Sequence, residues 1–392
     1  MKYDFNEMPD RETTISIKWD REARVANFGD ENVIPMGIAD MDIASPKPVV
    51  DAIKNRAEHP TYGYGYQSRE FNESVAQWQK KRNGWEIKPE WNVYTPGVNM
   101  AIMAAVEMIC DPGDTVIVQD PVYYPYHDFV ESAGCKFANN SLINNGGRYE
   151  INFEQLEEMA KEPMTKAIIF CSPQNPTGRC WTREEIEHLG NICIDNGVIV
   201  ISDEIHSDLV LPPNKHTVFA SISEKFAQNS IVCTSPSKTF NLAGLLISDI
   251  IVPNDGLRAR YIKKLSPYYL WPGTFGTVAQ LAAYEEGEEW LEQLLEHLRA
   301  NSEYIEEYLE ANLPRIKFRK PEATYLGWLD FREYGLSNEE LEEKLVKDAG
   351  LAFDFGPKFG LKGEGDGFAR INFAVPKSLL EKAMECLTKT FG

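Results

Sequence analysis

Five short apolar runs, at 115–119, 167–171, 198–202, 231–234 and 249–252, punctuate the chain between about residues 90 and 255. Their apolar character is continuous rather than alternating, as in strands of a parallel sheet with helices on both faces. Longer amphipathic segments separate them, so the expected architecture is a doubly covered α/β layer. The intervening helices have recognisable starts: Thr182-Arg183-Glu184-Glu185 has capping-box form, and Gly97 precedes the apolar segment 98–110. Past residue 285 the pattern changes to a long acidic amphipathic helix at 288–312, strand-like 316–318 and 325–331, and a helix at 338–347. A Gly-rich turn at 363–367, strand-like 368–373 and a closing helix at 377–388 complete a smaller α+β unit. The expected division is an N-terminal arm at 1–49, a large domain at 50–285 and a small domain at 286–392. The arm has weak periodicity and is expected to lie on the small domain or on a partner subunit.

Charge narrows the partners. Sixty acidic against forty basic residues leave a formal charge of -20, so approach to a nucleic-acid backbone or an anionic membrane begins with repulsion. Small molecules are the expected partners, with no nucleic acid and no membrane. The first residues lack the apolar core of a signal peptide, so the cytoplasm is the expected location. The seven cysteines are scattered without a Cys-x-x-Cys pair, and the six histidines lack metal-ligand spacing, so reduced thiols and no bound metal are expected.

In parallel α/β sheets ligands sit beyond the carboxyl ends of the strands, so the residues after each apolar run are the ones to collect. Lys238 stands in Ser235-Pro236-Ser237-Lys238-Thr239 just past 231–234, among small hydroxyl residues. Partial desolvation there lowers an amine's pKa and lets it condense with an aldehyde cofactor; an exposed loop lysine is the plainer reading. Asp203 follows 198–202 and is placed to pair with a pyridinium nitrogen or to cap a helix. At about 4 Å and an effective dielectric of about 20, such a pair contributes roughly 4 kcal/mol, or about 3 pKa units. Asn175, in Asn175-Pro176-Thr177-Gly178, offers an amide to a ring oxygen, or simply forms a turn. Gly97-Val98-Asn99 opens a helix whose amides suit a phosphate, with Ser235 and Ser237 adding hydroxyls. Tyr123 is placed to cover the ring or to pack. Arg370 interrupts an apolar strand and calls for an anion, either a substrate carboxylate or an internal salt bridge.

These residues, in this order, resemble the fold-type I pyridoxal-phosphate enzymes over nearly the whole chain. Asp10-Arg11 with Thr14, Lys18-Trp19-Asp20, Ala39-Asp40-Met41-Asp42, Tyr62-Gly63-Tyr64, Asp203-Glu204-Ile205-His206 and Ser237-Lys238-Thr239-Phe240-Asn241 resemble the carbon-sulfur lyase branch, the cystathionine β-lyases of the maltose-regulon-modulator type. The resemblance implies a mostly parallel seven-stranded sheet with a smaller α+β domain, and pyridoxal 5'-phosphate as cofactor. It also implies a homodimer in which Tyr64 reaches the neighbouring subunit's phosphate. Related aminotransferases usually carry an arginine eight positions after the lysine, where this chain has Leu246, and commonly a tyrosine where it has His206. Both differences favour the lyase branch; Pro236 and the 355–360 loop are variations that bear on substrate preference. The implied reaction is α,β-elimination from L-cystathionine, L-cysteine or a related thio-amino acid, giving thiol, pyruvate and ammonia. Lys238, Asp203 and Tyr123 are the expected catalytic residues. Cofactor binding is expected from Gly97, Val98, Asn99, Tyr123, Asn175, Asp203, His206, Ser235, Ser237, Lys238 and Tyr64, and substrate binding from Arg370, Asn175 and Ala39. An aminotransferase and a regulatory binding protein on the same fold are the alternatives.

Overall fold

The computed structural model describes residues 2–392. Its main sheet is built from β1 (Asn92–Thr95), β2 (Thr115–Val118), β3 (Lys136–Asn139), β4 (Thr165–Cys171), β5 (Ile199–Asp203), β6 (Ser230–Thr234) and β7 (Ser248–Ile251). Their order across the sheet is β1-β7-β6-β5-β4-β2-β3. The strands from β6 to β3 run parallel, and β7 is antiparallel to both β6 and β1. The continuous apolar runs have the expected cause. In β4, Ala167, Ile169 and Cys171 pack into one core, while Ile168 and Phe170 pack into another on the opposite face. Each fully buried aliphatic or aromatic side chain contributes about 1.5–3 kcal/mol, so a strand buried on both sides cannot alternate with polar residues.

Helix α1 (Val98–Ile109) covers one face. Its N-cap, Gly97, has φ 108°, in the region where only glycine is comfortable, and the space where a Cβ would stand is open. Helix α2 (Pro125–Ser132) follows β2, and α3 (Arg183–Asp195) starts with the capping box of Thr182 and Glu185. A single turn, α4 (Pro236–Thr239), carries Lys238, and α5 runs from Glu288 to Asn312 as the acidic pattern required.

The second sheet is antiparallel, in the order β8 (Lys317–Phe318), β9 (Leu326–Asp330), β11 (Phe368–Asn372), β10 (Asp354–Phe355), and α6 (Lys377–Phe391) closes the chain. The helix expected at 338–347 is α-helical only over Asn338–Glu343 and continues as a π turn, Lys344–Asp348. The early strand Ile34–Pro35 pairs in parallel with Leu351–Ala352. Among the described residues no helix is long and apolar enough to cross a membrane.

Candidate active site

The carboxyl ends of β4, β5 and β6 meet the start of α1 around a cavity of about 410 Å³. The large sheet contributes Asn175, Asp203, His206, Ser237 and Lys238 to its wall, and Gly97, Val98, Asn99 and Tyr123 join them. Arg370 of β11 and the loop residues Ala39 and Asp40 close the other side. A larger cleft of about 920 Å³ lies elsewhere, against the second sheet. None of its lysines or carboxylates is buried, so the chemistry belongs to the smaller cavity.

Asp203 is the last residue of β5 and is 5% exposed. No helix follows it, so it caps none; its Oδ1 accepts from the Ile205 N–H at 3.1 Å and its Oδ2 from the Tyr126 hydroxyl at 2.5 Å. Burial raises its pKa to about 6, and the Tyr126 and Ile205 hydrogen bonds oppose that rise. Tyr126, on α2, was not singled out in the sequence. Three tyrosines in four residues, Tyr123, Tyr124 and Tyr126, offer no local signal for which one turns inward.

Lys238 projects from α4 into the cavity. Its Nζ donates to the Ala39 carbonyl at 2.7 Å, and burial, followed by the charge of Arg370, lowers its pKa to about 8. A substantial fraction of such amines is neutral near physiological pH, as a nucleophile or base requires. The Ala39 carbonyl also accepts from Tyr325 at 2.9 Å. Its neighbours in the loop, the carbonyls of Ile38 and Asp40, accept instead from Asn372 Nδ2, at 2.7 and 2.6 Å. Asn372 thus fixes the carbonyls on either side of the one that holds the lysine.

The loop is anchored from the arm by the acidic motif seen in the sequence. Arg11 bonds Asp42 at 2.6 Å and Asp40 at 2.7 Å, while the buried Lys18 and Trp19 donate to Asp42 at 2.8 and 2.7 Å. Two cations on two carboxylates leave this partly buried cluster close to neutral, which reduces the cost of removing Lys18 and Asp42 from water.

Arg370 is 2% exposed and has three partners: Asn175 Oδ1 at 2.9 Å, the Gly37 carbonyl at 2.9 Å, and the Asp354 carboxylate. The internal salt bridge therefore exists, at the mouth of the same cavity. Asn175 faces the cavity with its oxygen committed to Arg370, which leaves its amide nitrogen for another acceptor. His206 is buried with Nδ1 unpaired and its ring edge-on to Tyr325, and burial depresses its pKa well below the usual histidine range. Asn99 Nδ2 donates to the Tyr123 hydroxyl at 3.3 Å.

One expected ligand is placed differently. Ser235 does not line the cavity: its hydroxyl donates inward to the Ile247 carbonyl at 2.6 Å and accepts the Ser237 N–H at 3.0 Å, capping α4. That cap fixes the turn carrying Lys238, and of the two serines only Ser237 faces the cavity. Tyr64 is 89% exposed and packs on Trp271 with ring centroids 5.1 Å apart, so within one chain it reaches no part of the site.

Comparison with known proteins places this geometry in a family. The chain matches the model for aminotransferase class I and II over residues 31–387 and belongs to that family. It is 40% identical to "Cystathionine beta-lyase PatB" of Bacillus subtilis (strain 168), with 97% of each chain covered. Among solved structures it resembles cystalysin from Treponema denticola, described as containing a pyridoxal 5'-phosphate cofactor (TM-score 0.95, 35% identity, 100% and 99% covered). It also resembles the PLP-bound C-S lyase of Staphylococcus hominis in complex with L-cycloserine (TM-score 0.92, 32% identity, 100% and 99% covered). The fold is the fold-type I aminotransferase fold, as the order of motifs led us to expect.

Proposed function

We infer that the chain is a pyridoxal-phosphate-dependent carbon-sulfur β-lyase that cleaves L-cystathionine, L-cysteine or related thio-amino acids to thiol, pyruvate and ammonia. The observation that carries this reading is one cavity holding a lysine with depressed pKa, a buried aspartate and a buried arginine, Lys238, Asp203 and Arg370. The residues fit the cofactor. Gly97 leaves open space at the start of α1, where backbone amides would hold the phosphate and Ser237 would add a hydroxyl. Asp203 would pair its buried carboxylate with the ring nitrogen, and Asn175 and His206, whose Nδ1 is unpaired, would serve polar ring substituents. Tyr123, which lines the cavity, would cover the ring face. When bound, the cofactor supplies the electron sink for a carbanion at Cα.

The remaining steps belong to the protein. Asn175 and Arg370 orient the substrate carboxylate, Lys238 removes the Cα proton, and the same amine delivers a proton to sulfur as the Cβ–S bond breaks. The Ala39 carbonyl, which accepts from Lys238 Nζ at 2.7 Å, would hold the ammonium between these transfers. As part of the same proposal, the enzyme is a cytoplasmic homodimer whose Tyr64 completes the partner's site. The exposed aromatic residues Tyr62, Tyr64, Tyr66, Tyr269 and Trp271 support such an interface. The proposed division is an arm at 1–49, a large domain at 50–285 and a small domain at 286–392.

A panel of β-substituted amino acids assayed together for pyruvate and free thiol tests the function. Equal amounts of the two products are expected. Transfer of the amino group to a keto acid without thiol release would identify an aminotransferase instead.

A further inference from the structure

Arg370 has an anion already. Its cross-strand neighbour Asp354, on β10, pairs with Nη2 through Oδ2, and both residues line the cavity. The other oxygen of Asp354 accepts from Lys358 Nζ at 2.5 Å, and Lys358 stands at the edge of the site, 38% exposed, above the Tyr124 ring. A guanidinium has five N–H donors, and a carboxylate held in fork geometry needs two of them, parallel and on adjacent nitrogens. Both Nη2 donors are spent, on the Gly37 carbonyl and on Asp354, while Nη1 serves Asn175 and the buried Nε has no partner. Gly37 is backbone in a pinned loop and Asn175 is neutral. Asp354 is the one anion of the three, and its other oxygen is already held by a second cation, Lys358.

We propose that Asp354 is a built-in competitor for the substrate carboxylate, shared between Arg370 and Lys358 in the resting site and left on Lys358 alone when an amino acid binds. This rests on the reading of Arg370 as the carboxylate-binding residue. The resting pair keeps a buried guanidinium neutralised, and only a ligand that brings its own carboxylate displaces it. Amines without a carboxylate gain nothing from the exchange. The release of Asp354 subtracts from substrate affinity as any unfavourable pre-equilibrium does: if the open arrangement is about one molecule in ten, apparent binding is about tenfold weaker than intrinsic binding.

The test uses cofactor-loaded enzyme and L-alanine, which has no leaving group at Cβ, with binding read from the absorbance change of the bound cofactor. Asp354→Asn is expected to bind L-alanine about tenfold more tightly and ethylamine unchanged. Lys358→Ala removes, at an exposed position, the one cation left to Asp354 once Arg370 releases it, so it is expected to weaken L-alanine binding about threefold and leave ethylamine unchanged. Effects of opposite sign mark competition; a merely structural role for the pair weakens binding in both variants, and that result overturns the proposal. If Asp354→Asn fails to fold, Lys358→Ala alone decides, because unchanged or tighter L-alanine binding contradicts the exchange. Arg370→Lys separates the two levels. If it leaves L-alanine binding intact, the reading of Arg370 falls, whereas loss of binding in Arg370→Lys with same-sign effects at Asp354 and Lys358 removes only the competitor.

Discussion

Replacing Tyr126 by Phe removes one hydroxyl from a fully buried ring and nothing else. That hydroxyl stands 2.5 Å from Asp203 Oδ2, and apart from it the carboxylate has only the Ile205 N–H at 3.1 Å. A hydrogen bond to a charged acceptor contributes about 1.5–3 kcal/mol, which corresponds to about 1–2 pKa units. Burial has already raised Asp203 to about 6, and the tyrosine is one of the groups opposing that rise. Its loss therefore moves the titration further up, into or above neutrality. The sign follows from linkage: with a folded pKa above its ordinary value, the folded protein holds the extra proton between about pH 4 and 6, and stability falls as pH rises through that window. In Tyr126→Phe the window extends upward. A protonated Asp203 cannot hold a pyridinium, so affinity for pyridoxal phosphate at pH 7 is expected to fall about two- to tenfold. Titrating cofactor-free protein with pyridoxal phosphate between about pH 5 and 9 measures this, because the midpoint below which capture fails should rise by about 1–2 units. An unchanged midpoint, or a lower one, would refute the role given to Tyr126.

Asp203→Asn keeps the shape but not the charge; it should retain some cofactor and lose at least about a hundredfold in elimination rate, measured as pyruvate release. Wild-type turnover would reduce Asp203 to a structural residue. Gly97→Ala places a methyl in open space at φ 108°, so backbone strain alone should cost about 1–3 kcal/mol in a melting experiment. Cofactor affinity, read by absorbance, should fall by more than that strain accounts for; equal losses would mean that no phosphate approaches α1. Mixing inactive Tyr64→Ala and Lys238→Ala proteins should restore about a quarter of wild-type activity, since half the dimers are hybrids with one intact site of two. No recovery would contradict a shared site.

Much of the large sheet is legible in the sequence because burial on both faces leaves no choice of residue: 167–171 and 231–234 fall within β4 and β6. Helix α5 is legible for a different reason, its acidic outer face giving a clear period over its full length. The arm is not, because contacts such as those of Arg11 and Lys18 are polar and long-range and leave no apolar stripe. Lys238, Asp203 and Asn175 could be found because each stands at or just past the end of a buried strand, and position relative to a strand end is a local property. Tyr126, Asn372 and Asp354 are not local in this sense. Asp354 meets Arg370 only through strand register, 16 residues apart in sequence, and Asn372 acts on carbonyls more than 300 residues away. Ser235 shows the converse limit: a hydroxyl beside the lysine suggests a phosphate ligand, whereas local backbone geometry turns it into a cap.

The most direct measurement is reduction of the cofactor-loaded enzyme with borohydride, followed by peptide mapping. The label is predicted on Lys238 alone, with none in Lys238→Ala. A stable label on any other lysine would contradict the assignment of this amine.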